Sequence, residues 1–287
     1  MKNVLVLVLL AGACTAMAQP SYCMQDTVVG TYAIATQGYL IVPAADGSSI
    51  AVPEASLGIA SIDSTGAVTS MSYNSMGGQI SSGPMPGAIT VNADCTAAID
   101  WGEGVTVAVV ITDEGKEMHS QVLSLGGMGV AVAQNDWKRI SRIPNTIVSA
   151  QCAPNAISGV YAVRMTGTIM MPQADSSQVI PVPMVLLGTG TTDLDGNAKA
   201  SVMASVGGQM VPMEITSSAP ATINPDCTAM VTWNHTSQGT PLGQSTHFIV
   251  VLDGGDEAWG LATQNFRGQP VQQVTWTRLS PIPAKAQ

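Results

Sequence analysis

Charge is the first thing this sequence is short of. Lys and Arg number 10 and Asp and Glu 19, so charged residues are 10% of the 287 and the formal net charge is −9. That leaves too few charges for the polar faces of amphipathic helices. The acidic sign repels phosphate backbones and excludes nucleic acid as a partner. Phe occurs twice and aromatics make up 4%, so a core has to be filled by Val, Ile, Leu, Ala and the 16 Met. Histidine is scarce too. His119, His235 and His247 are isolated from the cysteines, and no Cys/His set has metal-ligand spacing. There is no Gly-x-Ser-x-Gly, and the glycine-rich stretches lack the Lys-Ser/Thr of a phosphate loop. No metal or cofactor is expected. Past the N-terminus, no apolar run approaches membrane-spanning length without Gly, Pro or polar interruption.

What is present begins with an export signal. Met1-Lys-Asn precedes an apolar run, Val4 to Ala13, and Ala16-Met17-Ala18 stands before Gln19. This is the pattern of a signal peptide cleaved after Ala18, with a run too short for a membrane anchor. Ala11-Gly-Ala-Cys14 loosely resembles a lipid-attachment site, with Ala where Leu is usual. Cleavage removes Lys2 and no acid, leaving 9 − 19 = −10. Secretion or a periplasmic location follows. Cys23, Cys95, Cys152 and Cys227 remain, which allow three pairings.

The chain repeats itself. Ile89-Thr-Val-Asn-Ala-Asp-Cys-Thr-Ala-Ala-Ile-Asp-Trp101 shares seven of thirteen positions with Ala221-Thr-Ile-Asn-Pro-Asp-Cys-Thr-Ala-Met-Val-Thr-Trp233 at an offset of 132. Gly30-Thr-Tyr-Ala33 matches Gly159-Val-Tyr-Ala162 at 129, and Trp137-Lys-Arg-Ile-Ser141 matches Trp276-Thr-Arg-Leu-Ser280 at 139. Constant order with a slowly drifting offset marks a duplicated domain with loop insertions. After residues 1–18, the repeats occupy 19–145 and 146–287. Cys23 and Cys152 each lie seven residues before the Gly-x-Tyr, so repeat symmetry pairs Cys23 with Cys95 and Cys152 with Cys227.

In repeat 1 the strand candidates are Gly30–Val42, Ala55–Ile62, Ala67–Tyr73, a short piece at Gln79–Ser81, Gly87–Val91, Thr96–Trp101, Val105–Thr112, Glu117–Leu125 and Gly129–Ile140. Turn residues such as Asp63-Ser-Thr-Gly66 and Asn92-Ala-Asp94 separate them. The chain is predicted all-β. About eight hairpin-linked strands have to dispose of their sheet edges, and closing each repeat into an antiparallel barrel does so. Two β-sandwiches would use the same strand pattern.

The order Cys, Gly-x-Tyr, Asp-x-x-Gly, Thr-Val-Asn-x-Asp-Cys-Thr and an Asp-Gly-rich turn resembles a group of secreted bacterial proteins of uncharacterised function, similar in strand plan to allene oxide cyclase-like, calycin-type barrels. The resemblance covers both repeats. Gly87-Ala-Ile-Thr-Val-Asn-Ala-Asp-Cys-Thr-Ala97 lacks the group's Tyr, Pro and final Gly, and repeat 2 keeps Asn224-Pro-Asp-Cys-Thr228. The motif describes a turn and a disulfide, so it carries over no catalytic residue. The resemblance permits a cyclase or isomerase. The bare architecture suits a non-enzymatic barrel that holds a small apolar ligand, or a structural surface protein with filled barrels.

Candidate site residues come from what the repeats share. Glu117 and Glu257 are ionisable groups at matching places on a strand after a turn, and Tyr32 and Tyr161 match on the first strands. A carboxylate inside an apolar barrel has a perturbed pKa, so these four are the expected ligand-facing polar spot. Glu117, His119 and Gln121 share one face of their strand, either into the barrel or out to water. Asp100 and Glu103 flank Trp101, where repeat 2 has Thr232 and Asn234 beside its Trp233, and read as a surface hairpin. Asp193-Leu-Asp-Gly-Asn197 falls short of a calcium loop. Met165, Met170, Met171, Met184, Met203, Met210 and Met213 suit either an adaptable cavity lining or core filling. The sequence leaves oligomeric state open. N-terminal sequencing of the exported protein should begin at Gln19; a lipidated Cys14 or a retained Met1 would contradict the signal-peptide reading.

Overall fold

The structure, a computed structural model, describes residues 22–280 apart from 45, 128, 145–151, 154 and 174–178. The signal-peptide residues and Cys14 lie outside the described residues. Eight strands form the first barrel: β1 (Gly30–Pro43), β2 (Ser49–Ile62), β3 (Ala67–Met76), β4 (Gln79–Val91), β5 (Thr96–Asp100), β6 (Val105–Thr112), β7 (Glu117–Leu125) and β8 (Val130–Ser141). The second comprises β9 (Gly159–Pro172), β10 (Val179–Thr192), β11 (Ala198–Val206), β12 (Gln209–Ser217), β13 (Thr228–Ser237), β14 (Thr240–Leu252), β15 (Glu257–Asn265) and β16 (Gln269–Ser280). Within each barrel, consecutive strands pair antiparallel. β1 with β8 and β9 with β16 close the two rings. Closure removes the edges, so barrels form and not open sandwiches. The described residues contain three short 3-10 turns and no α-helix.

Two strands differ most from their sequence expectation: β2 begins at Ser49 and not at Ala55, and β4 runs unbroken. Gln79–Val91 is a single strand, where the residue pattern indicated a short piece at Gln79–Ser81 and a separate strand Gly87–Val91; Pro84 and Pro86 lie between the two. Ile89 donates its N–H toward the β3 side, to the Gly66 carbonyl. Alternation then turns residues 84 and 86 toward β5. The β4–β5 ladder runs only from Ala88↔Asp100 to Val91↔Ala97. The prolines therefore face a stretch with no ladder bond to lose.

The Asn-x-Asp-Cys-Thr turns are alike in both repeats. Asp94 Oδ1 accepts from Thr96 N and Oγ1 at 3.0 and 2.6 Å. Asp226 does the same for Thr228 at 3.1 and 2.5 Å. Cys95 and Cys227 occupy the left-handed region, at φ 64° and 63°, where the Asp side chain supplies the local bonds that hold a non-glycine residue there. Each cysteine is bridged as repeat symmetry predicts: Cys23–Cys95 across 72 residues and Cys152–Cys227 across 75.

Tyr and Arg shut one end of each barrel. The Tyr32 hydroxyl donates to the Gly115 carbonyl at 2.8 Å and accepts from Arg139 Nε at 2.9 Å, while Arg139 Nη2 donates to the Thr27 carbonyl in the 3-10 turn Gln25–Val28. In the second barrel Tyr161 donates to the Gly255 carbonyl at 2.8 Å, and Arg278 bridges Tyr161 and the Ala156 carbonyl.

The barrels pack wall to wall. Outward residues of β1–β3, including Ala33, Ala55 and Leu57, are buried in one cluster with the second barrel's core. Tyr73 lies against Phe248, ring centroids 4.6 Å apart. Gln273 Nε2 donates to the Ser56 carbonyl at 2.9 Å, and Ser75 Oγ donates to the Pro270 carbonyl. Lys138 joins Asp253 and Glu257 at 2.7 and 2.6 Å. Burial pulls the Lys138 ammonium pKa down, but hydrogen bonds and charges from the two carboxylates outweigh it and hold the pKa raised. Lys138 and Asp253 both lie near the Tyr–Arg ends, whereas Gly78 meets Gln269 at the other end. The two open ends therefore face the same way.

Each bridge closes its own barrel. The double substitution Cys152→Ser/Cys227→Ser should lower the stability of the second barrel by up to about 4 kcal/mol in the chain-entropy view. Urea unfolding should then show that barrel melting ahead of the first; a single unshifted transition would contradict this.

Candidate functional site inside the second barrel

The barrels share a plan but not an interior. In the first, Ser120 Oγ accepts from Trp137 Nε1 at 3.0 Å and from Asn135 Nδ2 at 2.9 Å, so these three groups satisfy one another. Trp101 and Trp137 stack with centroids 6.3 Å apart. The same pair recurs as Trp233 and Trp276, also at 6.3 Å. The counterpart of Ser120 is Gly260, where a Cβ would run into the Trp276 ring.

The second barrel also carries an insertion. The repeat offset is 132 at Trp101/Trp233 and 140 at Asp113/Asp253, a difference of 8 residues. They lengthen one hairpin: β13 has 10 residues against 5 in β5, and β14 has 13 against 8 in β6. Gln238 and Gly239 at its tip both have positive φ, 50° and 78°, as a tight two-residue hairpin requires. With a side-chain period of two, Trp233 and His235 on β13 face inward, as do Ser245 and His247 on β14. His247 replaces Val107 of the first repeat, and His235 belongs to the inserted stretch.

These side chains line a cavity of about 60 Å³. That is room for a few waters or a compact organic group, taking roughly 10–15 Å³ per water. Its walls are mostly apolar, with Met165, Ile169, Met184, Leu186, Met213 and Ile215 among them. At the open end the β15–β16 turn brings in Phe266 and Arg267. Phe266 packs where a Cβ on Gly243 would stand and lies 5.1 Å from the His235 ring.

Ser245 Oγ sits between the imidazoles, 2.7 Å from His235 Nε2 and 3.2 Å from His247 Nε2. One hydroxyl has one proton to give. It can donate to one ring only, so the other ring must donate to it and must then carry a bare lone pair on Nδ1. Neither Nδ1 has a partner. Trp233 Nε1 and Gln272 Oε1 are also buried without one, although Gln272 Nε2 reaches the Met184 sulfur at 3.3 Å. Four of the five such atoms among the described residues belong to this barrel's interior; the fifth is Gln25 Nε2. Burial, aided by the Arg267 charge, pushes the His235 pKa down to about 4. Burial, then the neighbouring His235, takes that of His247 to about 3. Both rings are neutral at pH 7.

No family model and no curated protein matches the chain. Among solved structures it is similar to a Nitrosomonas europaea protein provisionally described as an AttH, at 8% identity and a TM-score of 0.29, covering 95% of this chain and 99% of that one. A porin-like protein from Bacteroides uniformis aligns at 10% identity and TM-score 0.23, covering 85% and 96%. A protein of unknown function from the DUF3598 family of Nostoc punctiforme aligns at 11% and 0.22, covering 90% and 99%. Scores at this level carry no argument about function.

The four residues singled out from the sequence do not come together. Glu117 is on the outer wall, since its neighbour Met118 is the one that points into the first barrel. Glu257 is also outside, in the cleft between barrels, where it accepts from Lys138 and from Trp259 Nε1 at 2.6 Å each. Tyr32 and Tyr161 point inward, but their hydroxyls are taken by the closing clamps; Tyr161 also lines the cavity. Burial, partly offset by the adjacent arginine, raises both phenol pKa values. The inward carboxylate is Glu54 in the first barrel, raised by burial. His119 faces out and meets Asp136 at 2.8 Å. No cluster of three metal-ligating His, Cys, Asp or Glu occurs among the described residues.

The depressed histidine values make stability depend on pH. Unfolded, both rings protonate near 6.5; folded, they stay neutral to about 4 and about 3. In that window the unfolded chain binds more protons, so stability falls as pH drops from 6.5 toward 4, by up to ~1.4 kcal/mol per pH unit per histidine. Glu54 acts with the opposite sign. His235→Gln/His247→Gln leaves Glu54 intact, so denaturation of both proteins from pH 7 to 4 isolates the histidines. The variant should lose less stability than the wild type.

Proposed function

We propose that the protein is an exported, non-enzymatic binding protein that holds one small, largely apolar molecule inside its second barrel. One observation carries this reading: an apolar cavity into which a doublet of neutral histidines and a tryptophan bring unpartnered polar atoms. A buried polar atom without a partner costs on the order of 1–3 kcal/mol, and a ligand that supplies a donor and an acceptor recovers that cost. Met165, Met184 and Met213 can adapt to an irregular ligand shape. In the first barrel Ser120, Asn135 and Trp137 bond one another, so the matching groups there offer a ligand nothing. Export is part of the proposal. The disulfides belong to an oxidising, extracytoplasmic environment, and no helix among the described residues is long and apolar enough to cross a membrane.

A second reading, an allene oxide cyclase-like isomerase, draws support from the His–Ser–His arrangement alone. A neutral imidazole with a free lone pair in an enclosed apolar site is what a general base needs.

Calorimetric titration with hexan-1-ol tests the binding reading. The expected stoichiometry is one per chain, not two, because the barrels differ inside. Met213→Phe should fill the cavity and abolish binding, at about 1–3 kcal/mol in stability. Binding that survives Met213→Phe, or a stoichiometry of two, would place the ligand elsewhere.

A further inference from the structure

The cavity's charge says more about its ligand. The chain has 19 acidic residues against 10 basic ones, yet the lining contains no Asp or Glu. It contains Arg267 at the open end and Lys199, which is exposed on the wall near the opposite end. The partly buried cations elsewhere are engaged. Lys138 pairs with Asp253 and Glu257, Arg278 with Asp256 at 3.0 Å, and Arg139 with Tyr32 and the Thr27 carbonyl. Arg267 is not. Among the described residues no carboxylate pairs with it, and its guanidinium lies 5.5 Å from the centre of the Phe266 ring. Its backbone is pinned in the turn, with Arg267 N donating to Asn265 Oδ1 at 2.9 Å.

We infer that the second barrel binds a small monocarboxylate with a compact apolar body, its carboxylate on Arg267 and its body among Met165, Met184 and Met213. The inference rests on the binding role proposed above and names the ligand class. A guanidinium presents a fork of N–H donors that matches the two oxygens of a carboxylate. Placing the head at the open end keeps the ionised group near water and avoids the cost of burying it. Phe266, held between Arg267 and His235, keeps the guanidinium beside the mouth. A cationic amphiphile meets the opposite: one unpaired positive charge at the entrance and no acid in the lining.

The test compares hexanoate, hexan-1-ol and hexylammonium by calorimetry at pH 7.5 on the wild type and on Arg267→Gln and Arg267→Lys. Hexanoate should bind at least about tenfold tighter than hexan-1-ol, the value of one charge-assisted hydrogen bond, and hexylammonium should not bind. Arg267→Gln should erase the advantage of hexanoate over hexan-1-ol, and Arg267→Lys should restore part of it. If hexan-1-ol binds as tightly as hexanoate, or the advantage survives Arg267→Gln, the carboxylate inference fails and the binding reading stands. If neither molecule binds the wild type, the binding reading fails with it.

Discussion

Closing eight strands into a ring forces every strand residue to choose between inside and outside, and each inward residue has to be satisfied within a space a few side chains wide. Most of this molecule follows from that constraint. It removes the sheet edges that an all-β chain would otherwise expose. It also enforces the period of two along most of each strand, because a slip by one residue would turn the strand inside out. The Tyr–Arg clamps and the bridged Asp-Cys-Thr turns hold the ends of the ring where the chain enters, and they are the same in both copies.

Duplication let the two interiors diverge on one scaffold. Where the first barrel has Ser120 to receive the Trp137 indole, the second has Gly260 and a Trp276 ring in its place. Where the first has Val107, the second has His247. The lengthened hairpin extends the second barrel's wall far enough to carry His235 inward beside it. The outer walls took another course. Apolar residues of β1–β3 met apolar residues of β14–β16, and Lys138 found Asp253 and Glu257 across the seam. Glu257 thus became a contact between domains, even though its repeat partner Glu117 makes none of these bonds.

Much of the fold was legible because strand alternation and turn chemistry are local. Val105–Thr112 and Glu117–Leu125 match their strands residue for residue. The unbroken course of β4 was not legible, because whether Pro84 and Pro86 interrupt a strand depends on how far the neighbouring strand reaches. The candidate site was less legible. Searching for what the repeats share favoured the glutamates and tyrosines, and shared residues turn out to be seam, wall and clamp. The cavity's polar groups are those the repeats do not share. The signal was present as the jump in offset from 132 to 140 and as two histidines without repeat partners, but nothing local says that an inserted hairpin points its histidines inward.

The sequence by itself determined the all-β class, the duplication and the disulfide pairing, since these depend on residue pattern and repeat symmetry along the chain. Only the tertiary structure decided which face of each strand looks inward, that the barrels pack side by side with their open ends facing the same way, and that the second interior holds a cavity lined by His235, Ser245 and His247. Those outcomes depend on what the closed ring brings together: the His235–Ser245–His247 hairpin turned inward, Phe266 against Gly243, and Arg267 at a mouth that no acid lines. Burial and pairing are properties of a closed space, and the space exists only once the ring has closed.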